Sequence, residues 1–140
     1  MQYFFYGTLC DPDIRRLVLG YKPNRRQLRP AKLTGFRRKQ GRGRLYPILI
    51  PAPGSVVYGE LFQTMRPADV ARLAAYEGSE YRARRLPVRP QGGRGSRRVQ
   101  VFLAAHAPNG GLALPPHIQD WHPARWRRLH KAAFLRSLQR

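Results

Sequence analysis

Apolar positions in this chain recur with two different periods, and the switches between them divide it into elements. Residues 2–6, QYFFY, form an aromatic run that predicts a buried strand, broken by Gly7 and Thr8. Asp11-Pro12-Asp13 then opens a helix, with Asp11 as N-cap and Pro12 at the first helical position. Ile14, Leu17 and Val18 give that helix its apolar face, and Gly20 ends it. A strand is predicted over 27–36, followed by a mobile Gly/Arg turn at 37–44. Residues 46–50 are short and apolar, and Pro51-Ala52-Pro53-Gly54 predicts a turn after them. Residues 55–63, SVVYGELFQ, read as a strong strand.

The period then changes from two to that of a helix. Val70, Leu73 and Ala74 mark one face of a helix predicted over 67–77 and closed by Gly78. Weak alternation over 81–88 predicts another strand, 91–96 a Gly-rich hairpin loop, and 97–104 its partner strand. Residues 107–116 form a Pro/Gly loop. A basic helix at about 123–140 can dock Trp126, Leu129, Ala133, Phe134 and Leu138 on the core. No repeat or second domain is visible, so 1–140 reads as one domain. Strands outnumber helices and hairpins are frequent, which predicts an α+β domain with a curled mixed sheet.

Composition narrows the class. The length of 140 residues is enough for a real core. No apolar run is long enough to span a bilayer, and MQYFFYGTL has no basic segment ahead of its apolar stretch to suggest a signal peptide. Cys10 is the single cysteine, which excludes an intramolecular disulfide and a Cys-rich zinc site. These features predict a cytoplasmic protein with no membrane contact. No feature of the sequence selects an oligomeric state.

The charge is extreme: 27 Lys and Arg against 7 Asp and Glu, or +20 formally. No acid occurs between Ile14 and Gly59, nor between Tyr81 and Gln119. Such a surface attracts polyanions, though not with sequence selectivity. Lysine occurs only at 22, 32, 39 and 131, and the enrichment in Arg, Ala, Pro and Gly equally fits GC-rich codon usage. Both explanations stand. Arg37, Arg38, Lys39, Arg42 and Arg44, flanked by Phe36 and Tyr46, are the densest candidate for weak, non-specific polyanion contact, expected to be separate from any catalysis.

Two places carry candidate chemistry. Glu77 lies four residues beyond Leu73 and three beyond Ala74, on the face that points inward. A carboxylate there is costly unless paired or used, and burial would raise its pKa toward a value suited to proton transfer. The alternative is a helix-end Glu in solvent or paired with an arginine. The second place is YGTL, residues 6–9, where a strand turns through Gly7 toward a helix. Free amides at such a turn can hold an anion. The turn is then expected to need a backbone conformation that favours glycine at position 7. The alternative is an ordinary strand-to-helix turn. His106, His117, His122 and His130 have no metal-ligand spacing, and neither Ser55 nor Ser79 sits in a nucleophile elbow.

Three segments together resemble the γ-glutamylcyclotransferase-like family, which includes γ-glutamylamine cyclotransferases and plant AIG2-like proteins. They are FFYGTL at 4–9, YPILIPAPGSVVYGELF at 46–62 and LAAYEGSEYRARRLPV at 73–88, in the family's order and spacing. The resemblance covers roughly the first hundred residues, and the tail with Trp121 and Trp126 is similar to bacterial members. It implies a small mixed β-barrel with flanking helices. It also implies that Tyr6, Gly7, Thr8 and Leu9 line a pocket whose amides hold a substrate carboxylate, and that Glu77 is the acid/base. Tyr81 is a candidate hydroxyl near it.

The implied reaction converts a γ-glutamyl amine or γ-glutamyl amino acid into 5-oxoproline and a free amine. The α-amine attacks its own γ-carbonyl, so the protein mainly has to fix the cyclising conformer and move a proton. No metal or organic cofactor is required. The competing expectation is a non-catalytic basic protein on the same fold that contacts nucleic acid or another polyanion.

Overall fold

In the opening strand, neighbouring aromatic residues face two different layers, and that division organises the molecule. The computed structural model describes residues 1–41, 47–104 and 116–139. Strand β1 (Gln2–Phe5) sends Phe4, and Tyr6 just after it, into a cluster with Leu33, Leu49, Val57, Leu61, Val88, Val99 and Val101. Tyr3 and Phe5 point the other way, into a second cluster with Ile14, Leu19, Phe62, Leu73, Phe102, Trp121 and Trp126. The first cluster fills a barrel. The second lies between the barrel wall and the helices.

The barrel is closed by β2 (Leu28–Gly41), β3 (Pro47–Gln63), β4 (Tyr81–Pro90) and β5 (Arg97–Ala104) in the order β3-β1-β5-β4-β2, with β2 pairing back onto β3. Among the described residues the β1–β5 contact, at Tyr3 and Gln100, is parallel and the other barrel pairings are antiparallel. The expected mixed sheet is therefore a mixed barrel. A short strand β6 (Pro116–Asp120) adds to β2 beyond it. Closing the sheet leaves few open edges for unwanted pairing with other chains.

Among the described residues four helices flank the barrel: α1 (Pro12–Leu19), α2 (Pro67–Glu77), α3 (Pro123–Leu129) and α4 (Lys131–Leu138). Asp11 caps α1 as expected, accepting the amides of Asp13 at 3.0 Å and Ile14 at 3.3 Å. The helix expected over 123–140 is two helices, broken at His130, whose backbone leaves the helical region at φ −128° and ψ −17°. The break re-aims the chain so that Trp126 and Phe134 meet edge to face at 5.6 Å. Residue 140 lies outside the described residues.

Two other expectations need correction. The segment 37–44 is not a mobile turn as far as it is described: β2 runs on to Gly41 and pairs residue by residue from Phe36 to Gln40 with Pro51 to Pro47. Arg42, Arg44 and Tyr46 lie outside the described residues, as do residues 107–115 of the segment 107–116 expected as a loop, whose Pro116 begins β6. Nor does Pro51-Ala52-Pro53-Gly54 end a strand. The pairing jumps from Thr34 opposite Val56 to Phe36 opposite Pro51, so β3 carries a bulge there. Gly35 and Gly54, at φ 87° and 85°, let both chains pass through it.

Candidate active site

The end of β1 is held by contacts to the carbonyls of the loop that follows it. Beyond Tyr6 the chain enters a short 3-10 turn, Thr8–Cys10, in which the Cys10 amide donates to the Gly7 carbonyl at 3.0 Å and the Asp11 amide to that of Thr8 at 3.0 Å. Buried Arg15 donates to the carbonyls of Leu9 at 3.2 Å and Cys10 at 3.1 Å and pairs with Glu60 at 3.2 Å. Arg38 donates to the Tyr6 carbonyl at 3.1 Å. Lys131, from α4, meets buried Asp11 at 2.9 Å. The loop's carbonyls are thus satisfied, partly by its own turn and partly by Arg15 and Arg38. Among the described residues, the amides of Gly7, Thr8 and Leu9 donate to no carbonyl. A run of unused donors of this kind suits an anionic group.

Helix α2 brings Glu77 to the same place. Asp69, fully buried, fixes the start of α2 by accepting the amides of Met65 at 3.0 Å and Arg66 at 3.2 Å and the Tyr21 hydroxyl at 2.9 Å. Leu73 is also fully buried. Ala74, expected inward, is exposed; the inward face runs through Asp69, Leu73, Tyr76 and Glu77 instead. The Tyr76 hydroxyl lies 2.6 Å from Thr8 Oγ1, joining the helix end to the loop. Gly78, at φ 70°, ends the helix directly after Glu77.

These residues line a cavity of about 290 Å³. Tyr6, Gly7, Thr8, Leu9, Glu77 and Tyr81 all contribute to its wall. Glu77 as a residue is only half-buried, because the cavity opens outward. Its carboxyl is nonetheless crowded by protein, and burial pushes its pKa up to about 8. No described lysine or arginine pairs with it. The Tyr6 phenol is raised well above its ordinary value, first by burial and then by the neighbouring Glu77 charge, and it donates to the Phe102 carbonyl. The Tyr81 hydroxyl donates to the Pro47 carbonyl at 2.6 Å, which fixes the ring against the wall.

Several wall residues carried no signal of their own in the sequence. Tyr76 could have been found, since it stands three residues beyond Leu73 on the inward face. Phe134 and Leu138 arrive from α4, and Pro47 from β3, through long-range packing that no local pattern encodes. Among the described residues no group of three or more His, Cys, Asp or Glu side chains forms a metal site. His106 lies outside the described residues, and so does the side chain of His117.

One residue of the basic segment, Arg38, is joined to this site. Arg38 holds the Tyr6 carbonyl, also reaches that of Tyr58 at 3.4 Å, and lies 5.7 Å over the Trp121 ring. Burial lowers its pKa. It buttresses the pocket loop and is not a free surface charge. Gly7 needs correction too: its φ of −117° is one that any residue adopts. The constraint is space. A Cβ at Gly7 would sit 3.0 Å from Pro47 Cγ and 3.1 Å from Cδ. Gly7→Val is therefore expected to push the loop off Pro47 and weaken substrate binding by about tenfold or more. Thr8→Ser keeps the hydroxyl for Tyr76 and is expected to be mild. Calorimetric titration of both variants checks this, and unchanged affinity in Gly7→Val would contradict it.

Comparison with known proteins follows the same lines. Residues 3–123 match the family described as gamma-glutamyl cyclotransferase, AIG2-like. The chain is 27% identical over 137 residues to AIG2-like protein A of Arabidopsis thaliana, covering 98% of this chain and 78% of that protein. It is 27% identical over 136 residues to AIG2-like protein B of the same plant, covering 96% and 73%. A solution structure of an Arabidopsis thaliana protein superposes with a TM-score of 0.66 at 26% identity, covering 97% of this chain and 86% of that one. A structure described as gamma-glutamyl cyclotransferase superposes with a TM-score of 0.63 at 17% identity, covering 99% and 85%, and is similar in fold. Among the described residues no helix is long and apolar enough to cross a membrane.

Proposed function

The chain belongs to the gamma-glutamyl cyclotransferase, AIG2-like family, and from that premise we propose that it cyclises a γ-glutamyl amine or γ-glutamyl amino acid to 5-oxoproline and releases the amine. One observation carries this reading: a carboxyl with its pKa raised to about 8 shares a cavity with the unused amides of residues 7–9. The cavity's volume of about 290 Å³ suits an amino-acid-sized compound; ligand pockets usually span about 300–1,000 Å³.

The substrate's α-carboxylate lies on the amides of Gly7, Thr8 and Leu9. Its α-ammonium faces Glu77. That cation favours ionised Glu77 on arrival, but the desolvated site also favours a neutral pair, so the proton passes from nitrogen to carboxylate. The freed amine attacks the γ-carbonyl carbon, a new carbon–nitrogen bond closes the ring, and the original amide bond breaks. Glu77 returns that proton to the departing nitrogen and relays to it the second proton shed by the ring nitrogen, so the amine leaves as an ammonium. Holding carboxylate and amine in one geometry supplies much of the acceleration, since the attack is intramolecular.

The test is a panel of γ-glutamyl amines and γ-glutamyl amino acids assayed for 5-oxoproline, and formation from none of them would defeat the proposal. The pH profile offers a sharper check. Below its pKa the free protein holds Glu77 protonated and lacks the base, so kcat/KM is expected to rise with pH to a plateau past about 8. An acid limb centred in the ordinary carboxylate range would remove Glu77 from the role of base.

A further inference from the structure

We propose that the outer face of the barrel carries a second site, which holds single-stranded nucleic acid by stacking a base on Tyr58 and neutralising its backbone with Lys32 and Arg89. The register places these three side chains in one row: Lys32 on β2 is opposite Tyr58 on β3 and also opposite Arg89 on β4. Adjacent strands lie about 4.8 Å apart, so the aromatic ring and both cations are within reach of one bound segment. Val57, Leu33 and Val88, which alternate with them along the strands, are buried inside the barrel, so the row faces out.

Tyr58 is 69% exposed, in a chain whose other described aromatic residues are largely packed into the two cores. Neither Lys32 nor Arg89 pairs with an acid among the described residues. The groove around the row encloses about 620 Å³, is bordered by the Gly92–Gly93 turn, and shares no residue with the candidate active site. A net charge of +20 draws polyanions to the surface. An exposed ring beside two cations is the combination that single strands use, because every unpaired base offers a face to stack on. A free phosphate gains nothing from the ring, and a duplex offers it no open base. The row stands apart from segment 37–44, where Arg38 is committed to the Tyr6 carbonyl.

The experiment measures fluorescence anisotropy of a labelled oligouridylate with the whole chain, using uridine monophosphate and a duplex of equal length as competitors. Tyr58→Ala is expected to weaken binding about fivefold or more, the loss of one stacked base, while Tyr58→Phe retains it. Lys32→Gln with Arg89→Gln is expected to lower the slope of log affinity against log salt by about 1.4, at about 0.7 per neutralised phosphate on a single strand. Formation of 5-oxoproline should be unchanged in all three variants, so this proposal and the catalytic one fail separately. Parental affinity in Tyr58→Ala overturns the stacking role. Equal binding of the duplex overturns the preference for single strands. Full displacement by uridine monophosphate at the oligonucleotide's own concentration makes the occupant a free nucleotide and overturns the assignment.

Discussion

Replacing Glu77 by Gln is expected to lower turnover by about a hundredfold or more and, at the same time, to make the protein more stable at neutral pH. The first effect follows from proton transfer: Gln keeps the size and polarity of the side chain but cannot shuttle a proton. The second follows from linkage. Glu77 has a folded pKa of about 8 against an ordinary value of 4.5. In the unfolded chain it ionises above its ordinary value, whereas in the folded chain it keeps its proton until about pH 8. Between those two values the folded state binds more protons, so stability falls as pH rises. A pKa unit is worth about 1.4 kcal/mol, and a partly open pocket returns only part of the shift. A gain of at least about 1 kcal/mol, or a Tm rise of about 3–5 °C at pH 8, is a cautious expectation. At pH 4 the gain should vanish. Parental turnover in Glu77→Gln would rule out the proposed role, and a Tm difference independent of pH would show that its carboxyl is not desolvated.

Gly59→Ala is expected to cost far more stability than its size suggests. A Cβ built at Gly59 would sit 2.0 Å from the Phe5 carbonyl oxygen and 2.9 Å from the Phe4 ring. The first clash is with backbone, so β1 and β3 would have to separate where they pair at Phe5 and Glu60. Overpacking of this kind costs about 1–3 kcal/mol or more, which corresponds to a Tm loss of roughly 10 °C. Gly54→Ala makes the informative contrast. Gly54 has a left-handed φ of 85° but nothing within 4 Å, so only backbone strain of about 1 kcal/mol applies. Thermal melts of the two variants separate crowding from conformation. Equal Tm values would mean that crowding β1 against β3 costs no more than the strain at Gly54.

The sequence made some of this plain and hid the rest for identifiable reasons. Glu77 was legible because a short amphipathic helix with Pro at its start and Gly at its end leaves little freedom in phase. The same phase misplaced Ala74, because the small side chain looks apolar while the buried position belongs to Asp69, which satisfies the helix start. A buried carboxylate acting as a cap is invisible to a pattern that scores only hydrophobicity. The continuation of β2 through Arg37 and Arg38 was hidden by composition: Gly and Arg suggest a loop, whereas the strand is decided by pairing with β3 and by Trp121 lying under Arg38. The break at His130 had no local mark, since Trp126, Phe134 and Leu138 continue an acceptable helical period across it. In each case the missing information is a contact between residues far apart in sequence.

The pairing at the centre of the barrel has a kinetic consequence. The β2–β3 and β4–β5 hairpins join neighbours in the chain and can form early, because short loops close at little entropic cost. β1 does not have that option. Its partners are the far end of β3 and, through Tyr3 and Gln100, a strand far along the chain. Contacts of such long range slow folding and come late. The loop of residues 6–9 hangs directly from β1, so a half-folded chain can hold both hairpins and still have no pocket. An assembled pocket is then a property of the last closure, and the strand that precedes the other five in the chain is among the last to find its place.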